Sequence, residues 1–346
     1  MTRIVRTLTI ITAALAVLVA ACTSETKPDQ LVLLTHDSFA LSDGIFDEFT
    51  DDTGITVSVR TGGDAGTMVN QAILTKDNPI ADVVFGVDNT LLSRALDNDL
   101  FAPYRAGELD KVSPLLHVEG DYATAITFGD VCVNYHKKSF EDAQLPVPAD
   151  LAALTDPMYR NLLVVEDPAT SSPGLAFLMA TIAAYPDGAA YDWKAYWNDL
   201  FDNGVSVASD WSEAYYTQFA QSGGDRPLVV SYASSPPAEV LFGELADAPT
   251  GVMTEGCFRQ IEFAGIVNGT AHPAAAGQLI DFLLSTTVQE DIPLNMFVYP
   301  TNEEAALPPL FVEYTVFPDA PVIMDPGTID TNRERWIQEW TQIARS

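Results

Sequence analysis

Residues 31–86 read LVLLTHDSFALSDGIFDEFTDDTGITVSVRTGGDAGTMVNQAILTKDNPIADVVFG, and their rhythm decides the fold. Leu31–Thr35 is a short apolar run ending in a polar turn, the pattern of a buried strand. Gly44–Thr50 carries Ile45, Phe46 and Phe49 at helical spacing. Ile55–Arg60 alternates with the period of two that a strand requires. Thr67–Lys76 reads as a helix behind the glycine-rich loop 61–66. Ala81–Gly86 is another buried strand, and Thr90–Leu96 a helix beyond it. Parallel neighbours need a crossover each time, so the order βαβαβα predicts a parallel sheet with helices on both faces.

Beyond this block the rhythm changes. Residues 122–136 are extended through Cys132, and residues 252–266 are extended again. Between them lies a second α/β set: strands at Leu162–Glu166, Val205–Ala208 and Leu228–Tyr232, and helices at Leu175–Ala184, at Tyr191–Leu200, from Trp211 and after Pro237. Gln278–Leu284 and Trp336–Ala344 read as helices. Two α/β sets joined by extended segments predict two lobes with a β hinge. Each lobe is expected to be a mixed, mostly parallel sheet flanked by helices. Residues 31–130 and 255–300 are assigned to lobe 1, and residues 131–254 and 301–346 to lobe 2. Open α/β sheets bind ligands beyond the carboxyl ends of their strands. Two facing lobes set both groups of strand ends across one cleft.

The N-terminus, MTRIVRTLTIITAALAVLVAAC (1–22), sets Arg3 and Arg6 before an apolar run that ends in small residues. That is the pattern of a secretory signal peptide over residues 1–21. An uncleaved anchor helix is the alternative, but the run falls short of the roughly 20 apolar residues a span needs. The cysteine at the cleavage point resembles a bacterial lipoprotein signal. The resemblance implies that Cys22 is lipidated, that residues 22–30 are a flexible tether, and that the protein works outside the cytoplasm, on the cell membrane. The 48 acidic residues against 17 Lys and Arg give a formal charge of −31. Such a field repels nucleic acid and anionic lipid, so contact with the membrane is expected through the lipid alone. Solubility or a saline habitat would explain the acidity equally well. Cys132 and Cys257 are an even pair in β-type runs in an oxidising compartment, which predicts a disulfide; two buried free thiols are the alternative.

The chain carries no GxGxxG, Walker A, HExxH or GxSxG signature. His36, His117, His136 and His272 lack metal-ligand spacing, so neither metal nor cofactor is expected. The strand-end loops are richer. They hold His36 and Asp37, then Asp64 and Ala65, then Asp88, and in the second set Ser171 and Ser172, Trp211 and Tyr215, and Tyr232 to Ser235. Helix N-termini with hydroxyls suit anions, and aromatic rings beside carboxylates suit a flat cation. Each residue has a plainer role available. Asp64, Asp88, Ser171 and Ser172 are natural helix caps, Asp37 a turn former, and Trp211 with Tyr215, at i and i+4, a core stripe.

The ordered blocks THDSF (35–39), ADVVFGVDN (81–89), EDPATSSPGLA (166–176), WSEAY (211–215), VVSYASSP (229–236), IPLNMFVYP (292–300) and WIQEWTQIARS (336–346) resemble the thiamine-binding proteins of bacterial ABC importers. The resemblance implies a type II periplasmic-binding-protein fold whose lobes close on thiamine, thiamine monophosphate or thiamine pyrophosphate. It implies ligand contacts at Asp64, Ala65, Ser171, Ser172, Trp211, Tyr232, Ala233, Ser234 and Ser235. Phe297 stands where the family has Trp, His36 where it has another aromatic, and Ala238 where it has Tyr. Physically, Trp211, Tyr215, Tyr232 and Phe297 suit stacking on the rings, and Asp64 or Glu213 suits the thiazolium charge. The serines suit a phosphate. The resulting expectation is a monomeric lipid-anchored receptor, not an enzyme, that delivers thiamine to an ABC permease. A receptor of the same fold for a polyamine or ferric ion is one alternative. A thiamine-degrading transferase with Cys132 or Cys257 as nucleophile is another.

Overall fold

The computed structural model describes residues 27–346; the signal sequence, Cys22 and the start of the tether lie outside the described residues. The first set runs β1 (Gln30–Thr35), α1 (Ile45–Thr53), β2 (Thr56–Thr61), α2 (Ala65–Leu74), β3 (Val83–Asp88), α3 (Leu92–Asp97) and the short β4 (Phe101–Ala102). The long β5 (Thr124–His136) leads through α4 (Lys137–Ala143) to the second set. That set is β6 (Leu163–Glu166), α5 (Ser172–Ala184), α6 (Trp193–Asp202), β7 (Ser206–Ala208), α7 (Trp211–Glu213), β8 (Leu228–Tyr232) and α8 (Pro236–Gly243). The longest strand, β9 (Thr250–Val267), returns, followed by α9 (Pro273–Leu284), α10 (Thr286–Asn295), β10 (Tyr299–Pro300), α11 (Pro309–Tyr314) and α12 (Pro326–Ala344).

The strand order is β2-β1-β3-β9-β5-β8-β6-β7. β1 pairs in parallel with β2 and β3, and β6 in parallel with β7 and β8. β5 and β9 are antiparallel and serve both halves. Thr124–Val131 faces the C-terminal half of β9, which pairs onward with β3; Val133–His136 faces Thr250–Met253, beside β8. The result is the predicted two-lobed type II fold with a β hinge. The register slips between Val131 and Val133. Cys132 and Cys257 are joined there in the predicted disulfide, across a sequence separation of 125. On the same strands Arg259 makes a two-point contact with the Asp130 carboxylate at 2.6 and 3.1 Å.

The local causes are legible. β3 (VVFGVD) is buried at all six positions, as a strand covered on both faces must be. Asp192 caps α6 by accepting from the amides of Lys194 and Ala195. α12 starts at Pro326, ten residues before the stretch its tryptophans mark. Asp325 accepts from Thr328 N at 2.9 Å and Pro326 takes the first helical position, so a cap and not the apolar stripe sets the start. Trp336 and Trp340 are buried, and the Trp340 ring meets Trp197 of α6 edge-on at 5.4 Å. Toward its other end Arg333 donates to Thr90 O beside α3. α12 therefore touches both α/β sets. The helix expected at Trp211 is one short turn that continues as a π-helical turn over Ala214–Gln218.

The crosslink closes a long loop, so replacing Cys132 and Cys257 by alanine is expected to lower the unfolding free energy by about 2–5 kcal/mol. Denaturant melts under non-reducing conditions measure this, and an unchanged midpoint would mean the hinge pairing holds without the bond.

Candidate functional site

The strand ends of the two sets meet face to face. From the first come His36 after β1, Asp64 before α2, Asp88 closing β3, and Gln260 and Glu262 on β9. From the second come Glu166 closing β6, Ser171 and Ser172 at α5, Trp211 at α7, and Ser231 and Tyr232 on β8. All except Trp211 and Tyr232 are buried.

Asp64 spans the gap. Its carboxylate accepts from its own helix at Ala65 N (2.6 Å) and, across the cleft, from Ser172 N and Trp211 N (3.2 Å each). One negative group thus satisfies amides at the first turns of α2, α5 and α7, where helix dipoles favour it. Burial raises its pKa; the Ser171 hydroxyl, then the Ser172 and Trp211 amides and the His36 imidazole, oppose that rise. Gly66 lets the surfaces approach: a Cβ there would lie 2.6 Å from the Thr170 carbonyl oxygen.

Asp88 makes a second bridge. It accepts from Thr90 N and Oγ1 and from Leu91 N on its own side. It also accepts from Ser172 Oγ across the cleft and from Gln260 Nε2. Tyr232 OH donates to Gln260 Oε1 at 2.6 Å. Burial, then the charges of Glu262, Asp64, Asp88 and Glu166, push the Tyr232 hydroxyl well above its ordinary range, so it stays a donor. The four carboxylates therefore converge on one small volume.

His36 is the one basic side chain among them. Its Nε2 lies 3.2 Å from Glu262 Oε1, an ionic approach without hydrogen-bond alignment, while Thr127 Oγ1 donates to the other oxygen of Glu262. Burial alone would lower the His36 pKa; the Glu262 carboxylate, helped by Asp64 and Asp37, raises it instead. Burial would raise Glu262; the imidazole holds it low. The Gly86 backbone, at φ +93°, passes under the ring, where a Cβ would strike His36 Cδ2.

Trp211 supplies the ring face. Its Nε1 donates to Ser231 Oγ at 3.1 Å, and Tyr215 stacks on it at 4.9 Å between centroids. Tyr215 gives its hydroxyl to Glu239 and packs with Val164, Ala208, Phe219 and Val229. Of the residues singled out in the sequence, the cleft gathers His36, Asp64, Ala65, Ser171, Ser172, Trp211 and Tyr232. Ser235 joins through a 3.0 Å contact with Ser231. Others lie apart. Asp37 is exposed in a turn. Ala233 packs on the disulfide. Ser234 donates to the Phe297 carbonyl, and the Phe297 ring faces Phe242 edge-on. Glu213 turns back to accept from Ser209, which lowers its pKa. Glu166, Gln260 and Glu262 did not stand out in the sequence, and Asp88 did so only as a loop or cap residue. Gln260 and Glu262 alternate on one face of β9, between the apolar residues Phe258, Ile261 and Phe263, and Glu166 ends a run of four apolar residues; those are the signals that mark them.

Comparison with known proteins agrees with this architecture. The family model for bacterial extracellular solute-binding proteins matches residues 78–317. A thiamine-binding periplasmic protein of Salmonella typhimurium is 28% identical over 332 residues, covering 94% of this chain and 97% of the relative. Its counterpart in Escherichia coli is 28% identical over 318 residues, covering 91% and 93%. The solved structure of a periplasmic thiamin-binding protein superposes with a TM-score of 0.81 at 26% identity, over 91% of this chain and 96% of that one. Iron-bound HitA from Pseudomonas aeruginosa shares the fold, with a TM-score of 0.72 at 20% identity over 91% of this chain and 99% of that one. The molecule is a two-lobed type II binding protein. The chain belongs to the bacterial extracellular solute-binding protein family, and its place of work is outside the cytoplasm.

Replacing Asp64 by alanine leaves the Ser172 and Trp211 amides unpaired in the closed arrangement, at about 1–3 kcal/mol each. The expected outcome is a larger radius of gyration for the unliganded variant by small-angle scattering. An unchanged radius would mean that other contacts hold the lobes together.

Proposed function

We propose that the protein is a lipid-anchored receptor that captures thiamine or one of its phosphates between its lobes and hands it to an ABC permease. The observation that carries this reading is the excess of acidic side chains in the cleft. Asp64, Asp88, Glu166 and Glu262 converge there with one imidazole, His36, and a tryptophan face beside them. A flat organic cation complements that arrangement twice, by charge and by stacking. The relatives named as thiamine-binding proteins, matched over most of their length, support the same ligand. Closure is a movement of residues 31–130 with 255–300 against residues 131–254 with 301–346, about the β5–β9 hinge. The disulfide occupies Cys132 and Cys257, the two candidate nucleophiles of a transferase, so capture without covalent chemistry is the reading we adopt.

Calorimetric titration of the mature protein with thiamine, its two phosphates and spermidine tests the ligand. One-to-one binding of a thiamine form is expected, weakened roughly 10- to 30-fold in Trp211→Ala, the value of about 1.5–2 kcal/mol for a desolvated cation–π contact. Heat with spermidine alone would reassign the ligand to a polyamine. Mass spectrometry of the membrane-bound form is expected to find the chain beginning at a diacylglyceryl-modified Cys22; an unmodified N-terminus would remove the anchor from the proposal.

A further inference from the structure

Glu166 differs from every other carboxylate in the cleft. It closes β6, in register with Ala208 of β7, and is 1% exposed. Asp64 is met by three amides, Asp88 by Thr90, Leu91, Ser172 and Gln260, and Glu262 by Thr127 and His36. Neither oxygen of Glu166 has a hydrogen-bond partner on any other described residue; only its own backbone amide approaches it. The charges that act on Glu166 are those of Asp64, which caps α2, and Asp210 before α7, both acidic. Tyr232 of β8, which feels the charge of Glu166 as well as those of Glu262, Asp64 and Asp88, is a neutral donor. An ionised carboxylate without a partner in such a place is costly. Burial, reinforced by Asp64, therefore pushes its titration well above the ordinary carboxylate range and favours the neutral acid in the closed unliganded molecule.

We propose that Glu166 is a ligand-contacting, specificity-determining residue whose carboxyl exchanges its proton for the positive charge of the bound heterocycle. The proposal rests on the thiamine reading above. When the cation enters beside Trp211, the O–H bond of Glu166 breaks, the proton passes to solvent, and the carboxylate pairs with the ligand charge. No electrons are transferred. Two properties follow. Binding of a cation releases a proton, so affinity rises with pH. A neutral ligand of the same shape gains nothing from Glu166 and releases no proton.

The test is calorimetry of the mature protein and of Glu166→Gln with thiamine, from pH 6 to 8, in buffers of different ionisation enthalpy. Proton release approaching one per thiamine is expected for the natural protein, with affinity rising toward tenfold per pH unit where Glu166 titrates. In Glu166→Gln that release and that slope disappear, and affinity at pH 8 falls tenfold or more. His36 is present in both proteins, so the difference between them isolates Glu166. A thiophene analogue of thiamine, which has no ring charge, provides a second measurement without mutation: the natural protein is expected to bind it without proton release. Equal release and equal slopes in both proteins, or release with the neutral analogue, would overturn the role of Glu166 while leaving thiamine as ligand. No binding of thiamine by the natural protein at any pH would sink both readings together.

Discussion

The antiparallel pairing of β5 with β9 is the constraint from which the rest of the molecule hangs. Each strand lends one end to the sheet that contains β1, β2 and β3 and the other to the sheet that contains β6, β7 and β8. The lobes are thus two ends of one ladder. Where the ladder crosses from one sheet to the other, its register slips. The disulfide and the Asp130–Arg259 pair stand at that slip. A hinge made this way bends without letting the strand ends lose their facing, because backbone hydrogen bonds fix the strands on either side of it.

The cleft that this hinge aligns is built on carboxylates held by dipoles. Asp64 and Asp88 take their stabilising donors from both sides of the gap, so each is best solvated by protein when the gap is shut. The hydrogen bonds that close the lobes are therefore charge-assisted and short in range. They reward closure strongly at contact and hardly at all once the surfaces part. His36 and Glu262 form an internal ion pair on one side only and take no part in that exchange. Their mutual stabilisation has a pH window. It is lost on the alkaline side as His36 passes its raised pKa, and on the acid side as Glu262 passes its lowered one.

Much of this was legible in the sequence, for identifiable reasons. Buried parallel strands are continuous apolar runs, so β1, β3, β6 and β8 declared themselves. Two cysteines in long extended segments declared the crosslink. Less legible were features set by single side chains. Asp325 starts α12 well ahead of its tryptophans. Phe219 is extended and its amide reaches back to Ala214, which ends the helix at Trp211 as a π-turn. Within the site, the resemblance led to loop residues, whereas Gln260 and Glu262 come from the middle of β9. A polar side chain on a strand reads as solvent-facing until the second lobe is set against it. Ser234 and Ala233 illustrate the converse. Their loop borders the cleft, but one hydroxyl is spent on the Phe297 carbonyl and one methyl on the disulfide.

The position of the Cys132–Cys257 bond also orders events in the life of the chain. Its two halves are 125 residues apart in sequence, and each lies on a strand that both lobes share. Thiols are kept reduced in the cytoplasm and oxidised beyond it. A chain still inside the cell cannot lock its two halves together, and remains easier to unravel for passage across the membrane. Once outside, a single oxidation clamps the strands on which both lobes are assembled. The covalent seal is thus a record of arrival: the receptor becomes fully itself only in the compartment where its ligand is found.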